Sequence, residues 1–308
     1  MPYTNRHPLL EEFTPEESED HLYERVSEYL RRPNLQALPN SQRALITLVL
    51  RKLLASSTFA IAGALESMSK RLKARLQREE AAGTLADDLD DDYEALEETA
   101  EEWDDDDSPP PLSVADREAL RGEIAELDRF AQLAASIKHN AKGTALVKAL
   151  KIAFAKAAEI GAAQKAIIFT ESRRTQSYLL RVLADSDFSE GIVLFNGSNT
   201  DERSKAIYAT WLARHQGTDR VSGSKSADMR SALVEYFRDD GRIMIATEAG
   251  AEGINLQFCS LVVNYDLPWN PQRIEQRIGR CHRYGQKHDV VVVNFLNRKN
   301  DADRRVFE

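Results

Sequence analysis

The residues with the clearest potential for chemistry lie near the C-terminal end of the sequence, in a predicted helix over 271–282. Gln276, Arg280 and Arg283 follow one another at spacings of four and three residues, which places them on one helical face. Two arginines three residues apart repel each other, so this pattern adds little to helix stability. Guanidinium groups do suit the oxygens of a phosphoryl group in transfer. The spacing favours a phosphate-contacting helix over a merely solvated basic face.

A glycine-rich turn follows a short apolar strand earlier in the sequence. The strand is predicted over 242–246 and leads into Thr247, with Gly250 and Gly253 shortly after it. Glycines let a backbone approach a ligand closely, and open α/β sheets bind ligands at the carboxyl ends of their strands. The turn is therefore a candidate binding loop, although an ordinary strand-to-helix turn would have the same composition.

Short apolar strands and amphipathic helices alternate from about residue 142 onward. The predicted strands cover 166–170, 192–195, 242–246, 261–265 and 290–296. The predicted helices cover 144–159, 174–183, 226–237 and 271–282. Nearly all-apolar strands between helices indicate a parallel sheet with helices on both faces, which is an α/β fold.

The first part of the chain has a different pattern. Apolar residues recur every three or four positions over 16–80, which predicts helices, and Gly63 is the expected weak point of the longest one. We predict a helical region over 1–86, an acidic and proline-rich linker over 87–111 that is disordered, and a second arm helix over 112–141. The two long helices could pack as an antiparallel arm. An alternative role for the acidic run is a flap that competes with nucleic acid for a basic groove.

Composition excludes several classes of protein. Residues 87–107 contain 14 Asp or Glu and no Lys or Arg, so the rest of the chain sums to +5 although the whole chain has a net charge of −9. A basic working surface therefore remains possible. No apolar run is long enough to span a bilayer, and we expect no secretory signal. Two isolated cysteines give neither a disulfide framework nor a zinc cluster. We expect a cytoplasmic protein with no metal site of its own.

The chain lacks the parts of a complete P-loop enzyme. Its sequence has no Gly-Lys dipeptide, which the phosphate-cradling loop of such enzymes requires. The run Gly223-Ser-Lys-Ser has a serine between glycine and lysine and no apolar strand before it. No apolar strand ends in an Asp-Glu pair that could hold magnesium. Any nucleotide hydrolysis would therefore need another domain.

The segment from Ile243 to Gln286 resembles motifs five and six of the superfamily-two helicases, most closely the bacterial members of the Swi/Snf-type branch. The matching residues are Gly-Ile-Asn-Leu at 253–256, Trp-Asn-Pro at 269–271, and Gln-x-x-Gly-Arg-x-His-Arg-x-Gly-Gln at 276–286. The stretches 165–172 and 195–198 resemble motif four and the short motif after it. The resemblance covers residues 142–308.

The resemblance implies a RecA-like second lobe, truncated at its C-terminal end, of a two-lobed motor. The first lobe would hold most of the contacts to ATP and Mg²⁺. Arg280 and Arg283 would be arginine fingers, and Gln276 would contact the phosphate or order the attacking water. The implied cofactor-binding residues are Glu252, Gly253 and Asn255. The implied contacts to the nucleic-acid backbone are Thr170, Ser172, Arg173, Asn196, Ser198 and Thr247. Trp269 and Asn270 would couple the lobes.

The partners implied are nucleic acid, with duplex DNA favoured, and the N-terminal RecA-like lobe of the same parent chain. A protein partner for the helical arm is possible, and no membrane is expected. Two alternatives stay open. The parent could be a strand-separating helicase on RNA or DNA, or the chain could be a non-catalytic module whose arm binds a partner such as RNA polymerase.

Overall fold

The computed structural model describes residues 4–38, 43–77, 114–138, 140–248, 250–268 and 270–297. The predicted acidic linker over 87–111, the predicted coupling residue Trp269 and the predicted truncated end lie outside these residues. The chain divides into two compact units. The α/β unit comprises 1–14, 141–171 and 179–308, and the helical unit comprises 15–140 and 172–178.

A six-stranded sheet forms the centre of the α/β unit. Its strands are β1 (Arg6–Phe13), β2 (Ala166–Thr170), β3 (Ile192–Phe195), β4 (Ile243–Thr247), β5 (Leu261–Asn264) and β6 (Val290–Asn297). Their order across the sheet is β1-β6-β5-β2-β4-β3, and each neighbouring pair runs parallel. Every residue of β2, β4 and β5 is buried, so both faces of the sheet are covered. The predicted α/β class with a parallel sheet is confirmed.

The prediction of a purely helical region over 1–86 is wrong at its start. Residues 6–13 form the edge strand β1, which pairs with β6 over eight residues. Exposed and partly buried positions alternate along it, and Pro8 lies within it. Proline lacks an N–H to donate. It is tolerated in an edge strand because there is no further strand on the outer side to accept such a hydrogen bond. The alternation and the proline kept β1 from being recognised as part of an apolar sheet.

Five helices lie between or after the strands. They are α5 (Ala141–Glu159), α6 (Arg173–Ala184), α7 (Glu202–His215), α8 (Lys225–Asp239) and α9 (Pro271–Cys281). Four of them match predicted helices to within three residues at each end. The fifth, α7, was not predicted. Its N-cap Asp201 accepts from the backbone N–H of Ser204 at 2.9 Å, which satisfies a helix-start donor.

Side chains from α8 and α9 pack on one face of the sheet. Met229, Leu233 and Phe237 of α8 and Ile278 of α9 share a buried cluster with alternate residues of β2, β3 and β4. The α5 helix packs on β1, β5 and β6. The sheet is thus held rigidly, and the loops at the carboxyl ends of its strands have a fixed base.

The helical unit contains α1 (Glu17–Arg31), α2 (Arg43–Ser56), α3 (Thr58–Gln77) and α4 (Val114–Ser136). Thr58, the first residue of α3, donates its hydroxyl to the carbonyl of Ile137 just after α4. Lys73, near the end of α3, forms an ion pair with Asp128 inside α4. These pairs run in opposite directions along the two helices, so α3 and α4 are antiparallel as the sequence suggested.

The break in the long helical pattern falls at Ser57 and not at Gly63. The Ser57 hydroxyl accepts from the backbone N–H of Ala60 at 3.1 Å, so it caps α3. A β-carbon at Gly63 would lie 1.3 Å from Nη1 of Arg174. The glycine inside α3 is therefore explained by the guanidinium beside it. None of the helices in the described part of the chain is long and apolar enough to cross a membrane.

Candidate functional site

The α9 helix carries the candidate residue Arg280, ends just before Arg283, and begins as the sequence predicts. Pro271 is its first residue, where the missing proline N–H costs nothing. Asn270 is the N-cap, and its side-chain oxygen accepts from the backbone N–H of Gln272 at 3.0 Å. The predicted coupling residue Asn270 thus has a structural role at the helix start. This cap fixes the register of every later residue on α9.

The prediction that three residues share one face of α9 is only partly right. The helix ends at Cys281, with His282 as its C-cap, so Arg283 lies beyond it. Nε of Arg283 donates to the carbonyl of Gly279 at 2.9 Å, which holds the side chain against the last turn. Gln276 and Arg283 are exposed and Arg280 is partly exposed. Among the described residues, neither Arg280 nor Arg283 forms an ion pair.

Arg277, between these residues in sequence, was not singled out and is 1% exposed. Its Nε donates to Oε2 of Glu248 at 2.6 Å, and its Nη1 donates to the carbonyl of Asp266 at 2.7 Å. Nη2 lies 2.6 Å from the same Glu248 oxygen, but without hydrogen-bond geometry. The guanidinium also stacks over the Phe169 ring at 5.0 Å. Arg277 therefore joins α9 to the ends of β2, β4 and β5.

A buried ion pair stabilises the same edge of the sheet. Nζ of Lys142 lies 2.8 Å from Oδ1 of Asp266, and both side chains are less than a tenth exposed. Oδ2 of Asp266 accepts from the Thr170 hydroxyl at 2.6 Å and from the Glu171 N–H at 3.2 Å. Buried charges persist only when paired and hydrogen-bonded in this way. Asp266 thus links the end of β2 to the segment after β5.

The loop after β4 contains the predicted cofactor-binding residues. Glu252, Gly253 and Asn255 are all exposed. Gly253 has φ +76°, a left-handed conformation that favours glycine. The N–H of Leu256 donates to the carbonyl of Arg280 at 3.0 Å. This backbone bond connects the loop directly to the end of α9, so the predicted cofactor-binding loop and Arg280 are brought together.

Four of the predicted nucleic-acid contacts lie at the ends of three adjacent strands. Thr170 and Thr247 are register partners in β2 and β4, and Asn196 and Ser198 follow β3. Both threonines are buried; the Thr247 hydroxyl accepts from the Gly250 N–H at 3.4 Å. Their hydroxyls shape the strand ends, and of the four residues only Ser198 is exposed.

The turn after β3 is tightly built. Oδ1 of Asn196 accepts from the N–H groups of Ser198 and Asn199, and Oδ1 of Asn199 accepts from the Asn196 N–H at 2.8 Å. Asn199 has φ +46°, which asparagine tolerates better than most residues. Sequence reasoning stopped at Ser198 and missed Asn199. The run Asn-Gly-Ser-Asn is a turn signal that could have revealed it.

Gly250 lies against this turn. A β-carbon there would be 2.5 Å from Cα of Asn196 and 2.9 Å from the carbonyl oxygen of Phe195. Both are backbone atoms, which cannot move aside cheaply. Only glycine lets the loops after β3 and β4 approach so closely.

Gly250→Ala is therefore expected to destabilise the α/β unit by about 1–3 kcal/mol, the usual range for overpacking. The matched control is Gly279→Ala, because a β-carbon at this helical position meets nothing within 4 Å. Gly279→Ala should be neutral or slightly stabilising. Hydrogen–deuterium exchange of the β3 and β4 amides measures the change in stability in both variants. Equal protection in the two variants would contradict the close-approach argument.

The remaining two predicted contacts, Ser172 and Arg173, group with the helical unit. The Ser172 hydroxyl is buried and accepts from the N–H groups of Arg174 and Thr175, so it caps the first turn of α6. Arg173, the first residue of α6, is partly exposed. Of the six predicted contacts, only Ser198 and Arg173 have exposed or partly exposed side chains.

The sequence suggested that the two cysteines are isolated, but their side chains lie close together. Cys259 and Cys281 are both fully buried free thiols in the core beneath α9. The hydrogen bond to Cys259, together with burial, raises the pKa of Cys281 well above its usual value. The Cys281 thiol therefore stays protonated and packs as a small apolar group. No cluster of His, Cys, Asp or Glu in the described ranges suits a metal ion.

His282 is also held internally. Its Nε2 lies 2.8 Å from the carbonyl of Thr4, and Nε of Arg6 lies 3.4 Å from its Nδ1. The Arg280 and Arg283 guanidiniums, in contrast, have no carboxylate partner in the part of the chain that the structure describes. Two such cations beside an exposed glycine loop are chemically suited to a polyphosphate oxygen.

The sequence is similar to sequences of known helicases. Residues 177–285 match the helicase conserved C-terminal domain family. An uncharacterized ATP-dependent helicase, YqhH of Bacillus subtilis, is 46% identical over 101 residues, which is 32% of this chain and 18% of that protein. RNA polymerase-associated protein RapA of Erwinia tasmaniensis is 30% identical over 140 residues, which is 45% of this chain and 12% of RapA.

The chain thus spans less than a fifth of the length of these two relatives. The crystal structure of the C-terminal part of the Fun30 ATPase domain aligns with 99% of this chain and 89% of its own, with a TM-score of 0.49 and 16% identity. The sequence relatives and the family match confirm the resemblance read from the motifs. Over residues 177–285 the chain is thus similar to the conserved C-terminal domain of helicases.

Proposed function

We propose that this chain is the second motor lobe of an ATP-dependent translocase that acts on duplex DNA in the cytoplasm. The observation that carries the proposal is the pair of cations at the end of α9. Arg280 and Arg283 have no carboxylate partner among the described residues, while Arg277 on the same helix forms an ion pair with Glu248. Unpaired arginines at a strand-edge loop are suited to stabilise charge on a transferring phosphoryl group.

Our proposal places the γ-phosphate of ATP, bound with Mg²⁺ by another lobe of the parent chain, against these arginines. The sequence supports the need for that lobe, because this chain has no Gly-Lys dipeptide for a phosphate-cradling loop. The small share of the relatives' length that this chain covers also fits a parent with further domains. ATP supplies the phosphoryl group. In this proposal, Arg280 and Arg283 donate to its oxygens, and the exposed side chain of Gln276 orients the attacking water.

The loops at the strand ends would form part of the nucleic-acid track. In the α/β unit, Ser198 is exposed and would donate to a phosphate; Arg173 of the helical unit is partly exposed and would be a separate contact. Contacts of this kind carry no sequence information. Thr170, Ser172, Asn196 and Thr247 would act through the shape of these loops, since their side chains are buried. The bond from Leu256 N–H to the Arg280 carbonyl would couple the loop at Glu252, Gly253 and Asn255 to the arginines. Asn270, at the start of α9, would pass lobe movement to the helix.

The test uses the full-length parent and measures ATP hydrolysis with duplex DNA, single-stranded DNA or structured RNA. We expect duplex DNA to stimulate hydrolysis most, and the isolated 308-residue chain to be inactive. Displacement of a third strand from a triplex separates translocation from strand separation, which is measured on a forked duplex in parallel. Efficient unwinding of the fork would favour the strand-separating alternative. Hydrolysis by the isolated chain would contradict the second-lobe proposal.

A second candidate function concerns the helical unit. One relative is named for its association with RNA polymerase, so RNA polymerase is the kind of protein partner to test with this unit. This role is compatible with the motor. Wild-type function in cells after loss of both Arg280 and Arg283 would favour the purely non-catalytic module.

A further inference from the structure

The strand nearest the N-terminus contacts the helix that carries the candidate arginines. Nη1 of Arg6 lies 2.6 Å from Oε2 of Glu275, in the first half of α9. Nε of the same guanidinium donates to Nδ1 of His282, the C-cap of α9, at 3.4 Å. A single side chain thus spans α9 from its first half to its end. Sequence reasoning assigned no role to Arg6.

The ring of His282 completes this contact. Its Nδ1 accepts from Arg6, so its Nε2 is the donor to the carbonyl of Thr4 at 2.8 Å. These roles correspond to the neutral imidazole with the proton on Nε2. His282 lies between Arg280 and Arg283 in sequence. Fixing its ring therefore fixes the backbone that connects the two arginines.

The segment that makes these contacts is itself firmly held. The Asn5 N–H donates to Oδ1 of Asp289 at 2.8 Å, and His7 lies 2.8 Å from the other oxygen of that carboxylate. The N–H of Val290 donates to the carbonyl of Asn5 at 2.9 Å. From Arg6 onward the strand is paired with β6. Arg6 therefore projects from a rigid strand.

The contact also has a defined direction relative to Arg280. Glu275 and His282 are seven residues apart, close to two helical turns, so both lie on one side of α9. Arg280 is five residues after Glu275, roughly 140° around the helix. Ile278 and Cys281 on a third side are buried in the core. The core and β1 thus hold two sides of α9 and leave the side with Arg280 open.

We infer that Arg6 is a positioning residue for the arginine fingers, acting through Glu275 and His282. This inference rests on the proposed function. Its partners on α9 touch no phosphate in the proposal; they set the rotation and the end point of the helix. Arg6 and Glu275 are substantially exposed, and exposed ion pairs contribute little to stability. A loss of activity on changing Arg6 would therefore reflect misplaced arginines, since small displacements of catalytic groups slow reactions strongly.

The experiment compares Arg6→Ala, Arg6→Lys and the control Lys151→Ala in the full-length parent. Lys151 forms a more exposed pair with Asp187 in the same unit. We expect Arg6→Ala to lower kcat for nucleic-acid-stimulated ATP hydrolysis by about 10-fold or more, with KM for ATP little changed. Arg6→Lys keeps the charge for Glu275 and should restore part of the rate. Lys151→Ala should leave both parameters unchanged.

A double variant separates positioning from a merely structural effect. If Arg6 acts through the arginines, adding Arg6→Ala to a variant that carries both Arg280→Ala and Arg283→Ala should change kcat by less than twofold, because the groups it positions are gone. Equal losses in both backgrounds, or no loss in Arg6→Ala beyond Lys151→Ala, would overturn the inference. Full activity in Arg280→Ala would instead overturn the proposed function, so the two failures are distinguishable.

Discussion

Replacing Arg280 or Arg283 by alanine in the full-length parent is expected to lower the kcat of nucleic-acid-stimulated ATP hydrolysis by about 10³-fold or more. Each substitution would remove a guanidinium that stabilises the charge developing on the transferring phosphoryl group. The two side chains are held differently. Arg283 is held against the last turn of α9 through Gly279, whereas no side-chain hydrogen bond or ion pair of Arg280 is found among the described residues. Arg280 should therefore depend more on the loop bonded to its carbonyl.

The matched control is Arg203→Ala, because Arg203 is an exposed arginine on α7 that contacts Tyr236. It should leave kcat unchanged. Nucleic-acid affinity, measured without nucleotide, should change little in Arg280→Ala, since the defect lies in chemistry. A rate within tenfold of wild type for both finger variants would contradict the assignment.

Arg277→Ala is expected to lower the free energy of unfolding of the α/β unit by about 3 kcal/mol, because removing one partner of a buried ion pair leaves the other uncompensated. Arg277 is 1% exposed and the side chain of Glu248 only 20%. The change also removes the donor to the Asp266 carbonyl and the group stacked on Phe169. Hydrogen–deuterium exchange of the β5 amides measures the loss within this unit alone.

Arg280→Ala on the same helix is the control for this measurement. It should change the exchange free energy by less than about 0.5 kcal/mol, as is usual for a surface substitution. Arg277→Lys should recover part of the loss, because lysine keeps the charge but not the planar fork. Wild-type protection in Arg277→Ala would show that the buried pair does not hold α9 to the sheet. Arg277→Ala is thus predicted to lower stability, whereas Arg280→Ala, three residues away, is predicted to lower kcat.

The sheet could be predicted because its central strands are short apolar runs. The edge strand β1 could not, because its sequence contains only two consecutive apolar residues, Leu9 and Leu10, among polar ones, and all its residues are exposed or partly buried. The α7 helix was missed for a similar reason. Only Ser204 and Trp211 of its residues are buried, so its apolar face is too narrow to show periodicity. The cap at Ser57 was overlooked because Gly63 appeared the stronger breaker, although its lack of a side chain makes room for Arg174.

The candidate site could be predicted for exposed residues that lie in a recognisable motif. It could not be predicted for residues whose role depends on whether the side chain is buried. Gln276, Arg280 and Arg283 were found by spacing, yet the spacing assumed a helix that ends two residues before Arg283. Arg277 differs from its neighbours only in being buried, and burial is set by residues far away in sequence. The same limit explains why Thr170 and Thr247 were expected to contact a ligand. Their hydroxyls are instead bonded within the strand ends.

The pairing of β1 with β6 has a consequence for how the protein is made. Asn5 and Asp289, which are hydrogen-bonded, are separated by 284 residues. At about 5–20 residues per second, the ribosome needs roughly 15 to 60 seconds to synthesise the stretch between them. During that time the outer strand has no partner, whereas the antiparallel helices α3 and α4 join segments much closer in sequence. The helical unit can therefore fold while the chain is still growing, whereas β1 pairs with β6 only after β6 has left the exit tunnel.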